Sequence, residues 1–259
     1  REVSRAAGGM TATRHLLADA AVRPGAEIDL EVALTSLADV PVEDASRIPE
    51  ADHWRSNVSS CLWDSVRLRL HGPAWLTRAT PFAHPVEDRV DVAWRVERLA
   101  QDLGPLALRV RVLDADGRPV AEALEQGSGN EGLVPVHLRG AVRPWSPERP
   151  TLYTLQTDLL DADGHVLDRV AHPWGLKRFT VDGIRFRLNG DPVTLRAGTV
   201  VWHRWARDPE ARELAFDEAW FAEHVVRRLK GYGANTLRFH LGMPPEGFLD
   251  LCDRHGALL

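Results

Sequence analysis

TLRAGTVVWHRWARDPEARELAFDEAWFAEHVVRRLKGYGANTLRFHLGMPPEGFLDLCDRHGALL, residues 194–259, decides the fold. Val193-Thr194-Leu195-Arg196 leads into Gly198-Thr199-Val200-Val201-Trp202-His203, a β-branched run that breaks into polar residues and reads as a buried strand. A helical pattern follows. Asp217 stands where an N-cap belongs, Glu218 falls in the first turn, and Phe221, Val225 and Leu229 recur every four residues along one face. Arg227, Arg228 and Lys230 sit in the last turn, where cations suit the helix dipole, and Gly231 and Gly233 end it. Asn235-Thr236-Leu237-Arg238-Phe239 is a second short strand. Pro244-Pro245 opens a second helix with Phe248, Leu251 and Cys252 on one face and Gly256 past its end, and Ala257-Leu258-Leu259 begins another apolar run. Strands alternating with helices imply a parallel sheet with right-handed crossovers. Such sheets carry their working residues at the C-terminal ends of the strands. The candidates are therefore Trp202 and His203 after one strand, and Arg238 and His240 at the end of the next.

The composition fits a soluble, globular chain. Of 259 residues, 44% are hydrophobic and 27% charged, and the net charge of -5 argues against a nucleic-acid surface. No apolar run approaches the ~18 residues that a membrane helix requires. The two cysteines, Cys61 and Cys252, fall in different expected domains and read as ordinary thiols, not as a disulfide or metal framework. Nine tryptophans, a high number, are expected mostly in β-rich core, with sugar-stacking platforms as the functional alternative.

Upstream, the period changes to two. Val90, Val92, Trp94 and Val96 alternate with Asp91, Ala93, Arg95 and Glu97, and Leu108, Val110 and Val112 with Arg109, Arg111 and Leu113. Asp114-Ala115-Asp116-Gly117 reads as a hairpin turn, and Asp161-Ala162-Asp163-Gly164 repeats it after the strand pattern of residues 152–160. The later ligands of a calcium loop are missing, so both are read as turns. Residues 73–182 are thus expected to form one antiparallel sandwich. Residues 26–34 and 63–70 alternate like half-buried strands, and 40–55 reads as a surface loop. The Asn57-Val58-Ser59 sequon is read as a chance match.

Several of these stretches resemble glycoside hydrolase family 2, which holds β-galactosidases, β-glucuronidases and β-mannosidases. Phe186-Arg187-Leu188-Asn189-Gly190-Asp191-Pro192-Val193-Thr194-Leu195-Arg196 is similar to the "F-x-L-N-G-x-P-x-x-L-R-G" that leads into its catalytic barrel, with Ala197 for the last glycine. Residues 230–238 resemble "K-x-x-G-x-N-x-x-R", and 248–256 resemble "F-x-D-L-C-D-x-x-G". Residues 145–153 resemble "W-S-P-E-x-P-x-L-Y", and 174–179 resemble "F-G-x-R-x-F" with Trp174 for Phe and Lys177 for Arg. Residues 62–68 resemble the "I-W-x-x-V-x-L" near the end of the family's N-terminal jelly roll, with Cys61 for the preceding glycine.

The resemblance implies a multidomain β plus α/β chain. Residues 1–72 would be the C-terminal part of a jelly-roll domain, 73–182 an immunoglobulin-like β-sandwich, and 183–259 the first β/α units of a TIM barrel. It implies a retaining glycosidase, which needs a nucleophile and an acid/base carboxylate about 5–5.5 Å apart. Both are glutamates on later strands in the family and are expected after Leu259. Glu210, Glu213, Glu218, Glu223 and Glu246 are read as solvated or cap-region charges. Arg238 matches the arginine that orients the nucleophile; from its residues alone it would either take such a role at the strand end or cap a carbonyl or pair with a surface acid. His203 and His240, each displaced from the family's spacing, would bind sugar hydroxyls or pack as loop residues. Trp202 would stack on sugar or pack in the core. No cofactor and no metal is expected, the partner is a carbohydrate substrate, and a homo-oligomer stays open. The chain opens on Arg1 without methionine and ends inside an expected strand, so it reads as a fragment cut at both ends, inactive and poorly soluble alone, with its compartment unreadable. The competing reading is a carbohydrate-binding scaffold with a degenerate barrel.

Overall fold

The computed structural model describes residues 4–6, 12–17, 25, 27–35, 62, 64–99, 103–127, 129–202, 205, 208–240 and 242–259. The expected loop at 40–55, the sequon, Cys61, Trp63 and His203 lie outside the described residues.

Alternation builds the middle of the chain. Strands β1 (Ala74–His84), β2 (Arg89–Arg98) and β5 (Glu131–His137) form one antiparallel sheet in the order β1-β2-β5. Strands β3 (Leu106–Leu113), β4 (Pro119–Gly127), β6 (Tyr153–Leu160) and β7 (Val166–Trp174) form a second, in the order β4-β3-β6-β7. Val90, Val92, Trp94 and Val96 from one sheet meet Leu108, Val110, Val112, Leu155 and Leu159 from the other in a single apolar core. Burying each such side chain is worth about 1.5–3 kcal/mol, which is what holds two sheets face to face. The β3–β4 and β6–β7 turns are chemically the same. Asp114 Oδ1 accepts from the Asp116 and Arg118 amides at 3.0 and 2.8 Å, and Asp161 Oδ1 accepts from Asp163 and His165 at 3.0 and 2.8 Å. The Asp161, Asp163 and His165 side chains do converge. The Asp161 carboxylate, however, is engaged by its own turn, as the hairpin reading requires.

The second sheet also buries a charge. Asp158 is 0% exposed and receives Arg109 at 2.8 Å, Arg111 at 3.1 Å, Arg169 at 2.6 Å and the Gln156 amide at 2.9 Å. Burial alone would raise its pKa. The hydrogen bonds from Arg169, Arg109 and Gln156, with the Arg169 charge, overcome that and hold the carboxyl below its ordinary value.

After the sandwich come β8 (Phe179–Asp182), β9 (Arg185–Leu188) and β10 (Asp191–Val193), a three-stranded antiparallel meander. The expected 182/183 boundary falls on its β8–β9 turn, which makes these strands a connecting sheet. Leu188 pairs with Asp191 across Asn189-Gly190, whose φ values of 55° and 94° are those of a tight hairpin turn.

The end of the chain switches to parallel pairing. Strand β11 (Ala197–Val200) pairs in parallel with β12 (Thr236–Phe239). A further parallel bridge joins Thr236 to Leu258. Helix α1, residues 218–231, connects β11 to β12 in three segments: Glu218–Trp220 and Arg228–Gly231 are α-helical, and Phe221–Arg227 between them is π-helical. The Asp217 carboxylate caps it by accepting from the Trp220 amide at 2.8 Å. Helix α2 (Glu246–His255) connects β12 to Leu258 and ends on Gly256 at φ 75°. Phe221, Val225, Phe248, Leu251 and Cys252 pack beneath Val200 and Leu237 in a second core, separate from that of the sandwich. Strand β11 is shorter than the apolar run suggests: Val201 and Trp202 lie past its last paired residue.

Two strand expectations are corrected. Residues 27–35 and 64–70 form no strand, and Ile28, Leu30, Val32 and Leu34 are 48–58% exposed. Alternation supplies an apolar face but not the neighbouring edge that must satisfy the backbone, and no described strand stands beside these residues.

Candidate functional site

The candidate site lies at the C-terminal ends of β11 and β12. Register fixes which residues share a face. Thr199 pairs with Arg238, one position along from the Gly198–Leu237 pair. Leu237 and Phe239 turn towards α1 and α2 and join the second core, so alternation turns Thr199 and Arg238 to the opposite face. Arg238 is exposed there, and no ion-pair partner stands beside it among the described residues. His240 continues the same register, its amide donating to the Val200 carbonyl at 2.9 Å. Its Nδ1 is buried without a hydrogen-bond partner among the described residues. An unsatisfied buried imidazole nitrogen costs free energy, about 1–3 kcal/mol, unless something comes to meet it.

Trp202 is placed elsewhere. It is 3% exposed, belongs to the second core, and meets Phe216 edge-on with ring centroids 6.0 Å apart. Trp205 packs edge-on against Trp220 at 5.4 Å. The structure thus brings Arg238 and His240 together at one strand end and puts Trp202 beneath the sheet. The five glutamates carry local tasks where their partners are described: Glu223 pairs with Arg227 at 2.8 Å, Glu246 pairs with Arg67, and Glu218 sits in the first turn of α1. Sequence reasoning passed over Thr199. Parity in a parallel pair, counted from Leu237, is the signal that points to it.

The opposite end of the same strands is fully engaged. Asn235 is buried. Its Oδ1 accepts from the Arg196 amide at 2.9 Å and from the Thr236 hydroxyl at 3.0 Å, and its Nδ2 donates to the Thr194 carbonyl at 3.0 Å. Asn235 is therefore a staple that sets the stagger of β11 against β12, and it has no free polar atom to offer a ligand.

Comparison with known proteins places this architecture. Residues 79–177 match the model for glycosyl hydrolases family 2. A β-glucuronidase of Paenibacillus borealis is 30% identical over 152 residues, which are 59% of this chain and 23% of that protein. A β-galactosidase of Vibrio vulnificus is 30% identical over 135 residues, 51% of this chain and 12% of that one. Among solved structures, a glycosyl hydrolase family 2 member from Bacteroides cellulosilyticus superposes with a TM-score of 0.55 at 25% identity, covering 71% of this chain and 24% of its own. A β-glucuronidase from Ruminococcus gnavus shares the fold, with a TM-score of 0.55 at 22% identity over 72% of this chain and 29% of its own. The chain thus spans less than a quarter of the length of these two curated relatives. Over residues 79–177 the chain is similar to glycosyl hydrolases family 2, and these two curated relatives are a β-glucuronidase and a β-galactosidase.

Proposed function

We propose that the chain is part of a retaining β-glycosidase that hydrolyses a terminal β-linked sugar, and that Arg238 orients its nucleophilic carboxylate. The observation that carries this reading is an exposed arginine with no carboxylate beside it among the described residues, at the C-terminal end of a parallel strand. A guanidinium there stabilises an ionised carboxylate, lowers its pKa and holds it in one orientation through two parallel hydrogen bonds. In a retaining mechanism that carboxylate attacks the anomeric carbon while a second carboxylic acid protonates the leaving oxygen. Water, activated by the second group, then releases the sugar. His240, whose Nδ1 has no hydrogen-bond partner among the described residues, suits a sugar hydroxyl, and His203 keeps the same proposed role. For Trp202, burial favours packing over stacking on sugar.

The test is to assay the complete gene product on a panel of chromogenic β-galactosides, β-glucuronides and β-mannosides. Turnover of one of them, reduced roughly a hundredfold or more by Arg238→Ala, is the expected result. Sugar binding without turnover of any of them would replace the enzyme by a carbohydrate-binding scaffold.

A further inference from the structure

Four of the motif stretches meet at one place, through residues that have no part in the proposed chemistry. Trp145, at the head of the W-S-P-E stretch, is fully buried against Leu188 and Leu258. Its indole N–H donates to the Asp253 carbonyl of α2 at 2.9 Å, across 108 residues of chain. Lys230, which opens the K-x-x-G-x-N stretch, donates to the Pro147 carbonyl at 2.7 Å and to the His255 carbonyl. Lys177 lies 4.2 Å over the Trp145 ring and pairs with the Asp253 carboxylate at 3.1 Å. A Cβ at Gly256 would stand 2.3 Å from the Pro147 oxygen.

These contacts fall on a particular set of atoms. The last four carbonyls of a helix have no partner within it. In α2 the Cys252 carbonyl is taken by the Gly256 and Ala257 amides. The Asp253 carbonyl is taken by Trp145 from the sandwich, and that of His255 by Lys230 from the end of α1. Lys230 in turn reaches back to the sandwich at Pro147. Both groups are therefore cross-links between units whose apolar cores are separate.

We infer that this junction is a latch: the sandwich supplies the C-terminal cap of α2, and the α1–β12–α2 unit stays closed only while seated on Trp145 and Pro147. The surface at residues 145–149 is thus a docking face whose partner is the end of α2. The inference is independent of the proposed catalysis and needs no substrate to test.

Cys252 is the probe. It is buried in α2, and burial, then the Asp253 charge, pushes its thiol up to about 12, so it reacts through opened states only. In a Cys61→Ser background it is the sole thiol. Trp145→Phe keeps an aromatic ring but removes the donor and part of the packed indole, and Lys230→Met, which leaves Trp145 in place, removes the cross-link from the other side. Each is expected to raise the Cys252 labelling rate roughly ten- to a hundredfold. Amide exchange in β3 and β6 should stay as slow as in the unsubstituted chain. Arg227→Met, which removes only an exposed pair with Glu223 on α1, should change neither. Labelling rates equal to the unsubstituted chain in both Trp145→Phe and Lys230→Met would overturn the latch. So would loss of β3 and β6 protection in step with Cys252, because that would assign both residues to the stability of the sandwich itself.

Discussion

The two ends of the β11–β12 pair have the same backbone and opposite chemistry. At the N-terminal end, Asn235 spends its amide on three partners, and just beyond it Lys230 and Trp145 close the carbonyls of α2. At the C-terminal end, Arg238 is without an ion-pair partner and the His240 Nδ1 is without a hydrogen bond among the described residues. Buried polar groups in native folds are normally satisfied, so the buried His240 Nδ1, at a strand end that also presents the exposed Arg238, marks a place for something else to bind. The satisfied end builds the fold, and the unsatisfied end is the candidate for function.

Substitutions at the satisfied end should cost stability. Gly256→Ala forces a Cβ onto a left-handed φ and towards the Pro147 oxygen, and is expected to destabilise the βα unit by more than about 3 kcal/mol in urea unfolding. Asn235→Ala removes one donor and one doubly used acceptor from a buried position and should cost about 2–4 kcal/mol by the same measurement. Arg238→Ala breaks no described contact, so its unfolding midpoint should stay within about 0.5 kcal/mol of the unsubstituted chain. A large loss of stability there would break the contrast between the ends.

The smallest expected effect is on pH. Burial pushes His172 below its ordinary 6.5, and burial followed by the charges of Arg227, Lys230 and Arg254 does the same to His255. The unfolded chain therefore takes up these protons first, and stability falls as the pH drops through about 6.5 towards the lower folded-state values. Asp158 has the usual carboxylate sign. Its contribution is fully present above 3.8 and is lost as the pH falls further through its depressed value. Urea titrations from pH 7.5 to 5.5 should show the histidine slope, and His172→Gln should flatten it.

What the sequence made legible was local. The Asp217 cap, the Phe221–Val225 stripe, the Gly256 stop and the paired Asp-x-Asp-Gly turns each depend on neighbours within a few residues, and each appears in the structure. Alternation likewise found the sandwich core, because a half-buried strand writes its period into its own residues. What depends on distant chain was not legible. Residues 27–35 have the pattern of a strand, but a pattern cannot summon the edge it needs. The bond from Trp145 to Asp253 leaves no trace in either motif alone. Trp202 belongs to the apolar run of β11, yet the strand stops at Val200 and the tryptophan turns into the core, an outcome set by Phe216 and α1. In the candidate site, Arg238 was legible from its place at a strand end. Thr199 was not, because its pairing is fixed only once the stagger is known.

The most direct test of the central claim sets the two ends against each other in the complete gene product. Turnover of the best chromogenic β-glycoside and the unfolding midpoint are measured for Arg238→Ala and Asn235→Ala. The account predicts that Arg238→Ala loses turnover with its midpoint unchanged, and that Asn235→Ala loses midpoint with the turnover of its folded fraction largely kept. Full turnover in Arg238→Ala, or a fall in its midpoint matching that of Asn235→Ala, would contradict it and return Arg238 to the structural residues.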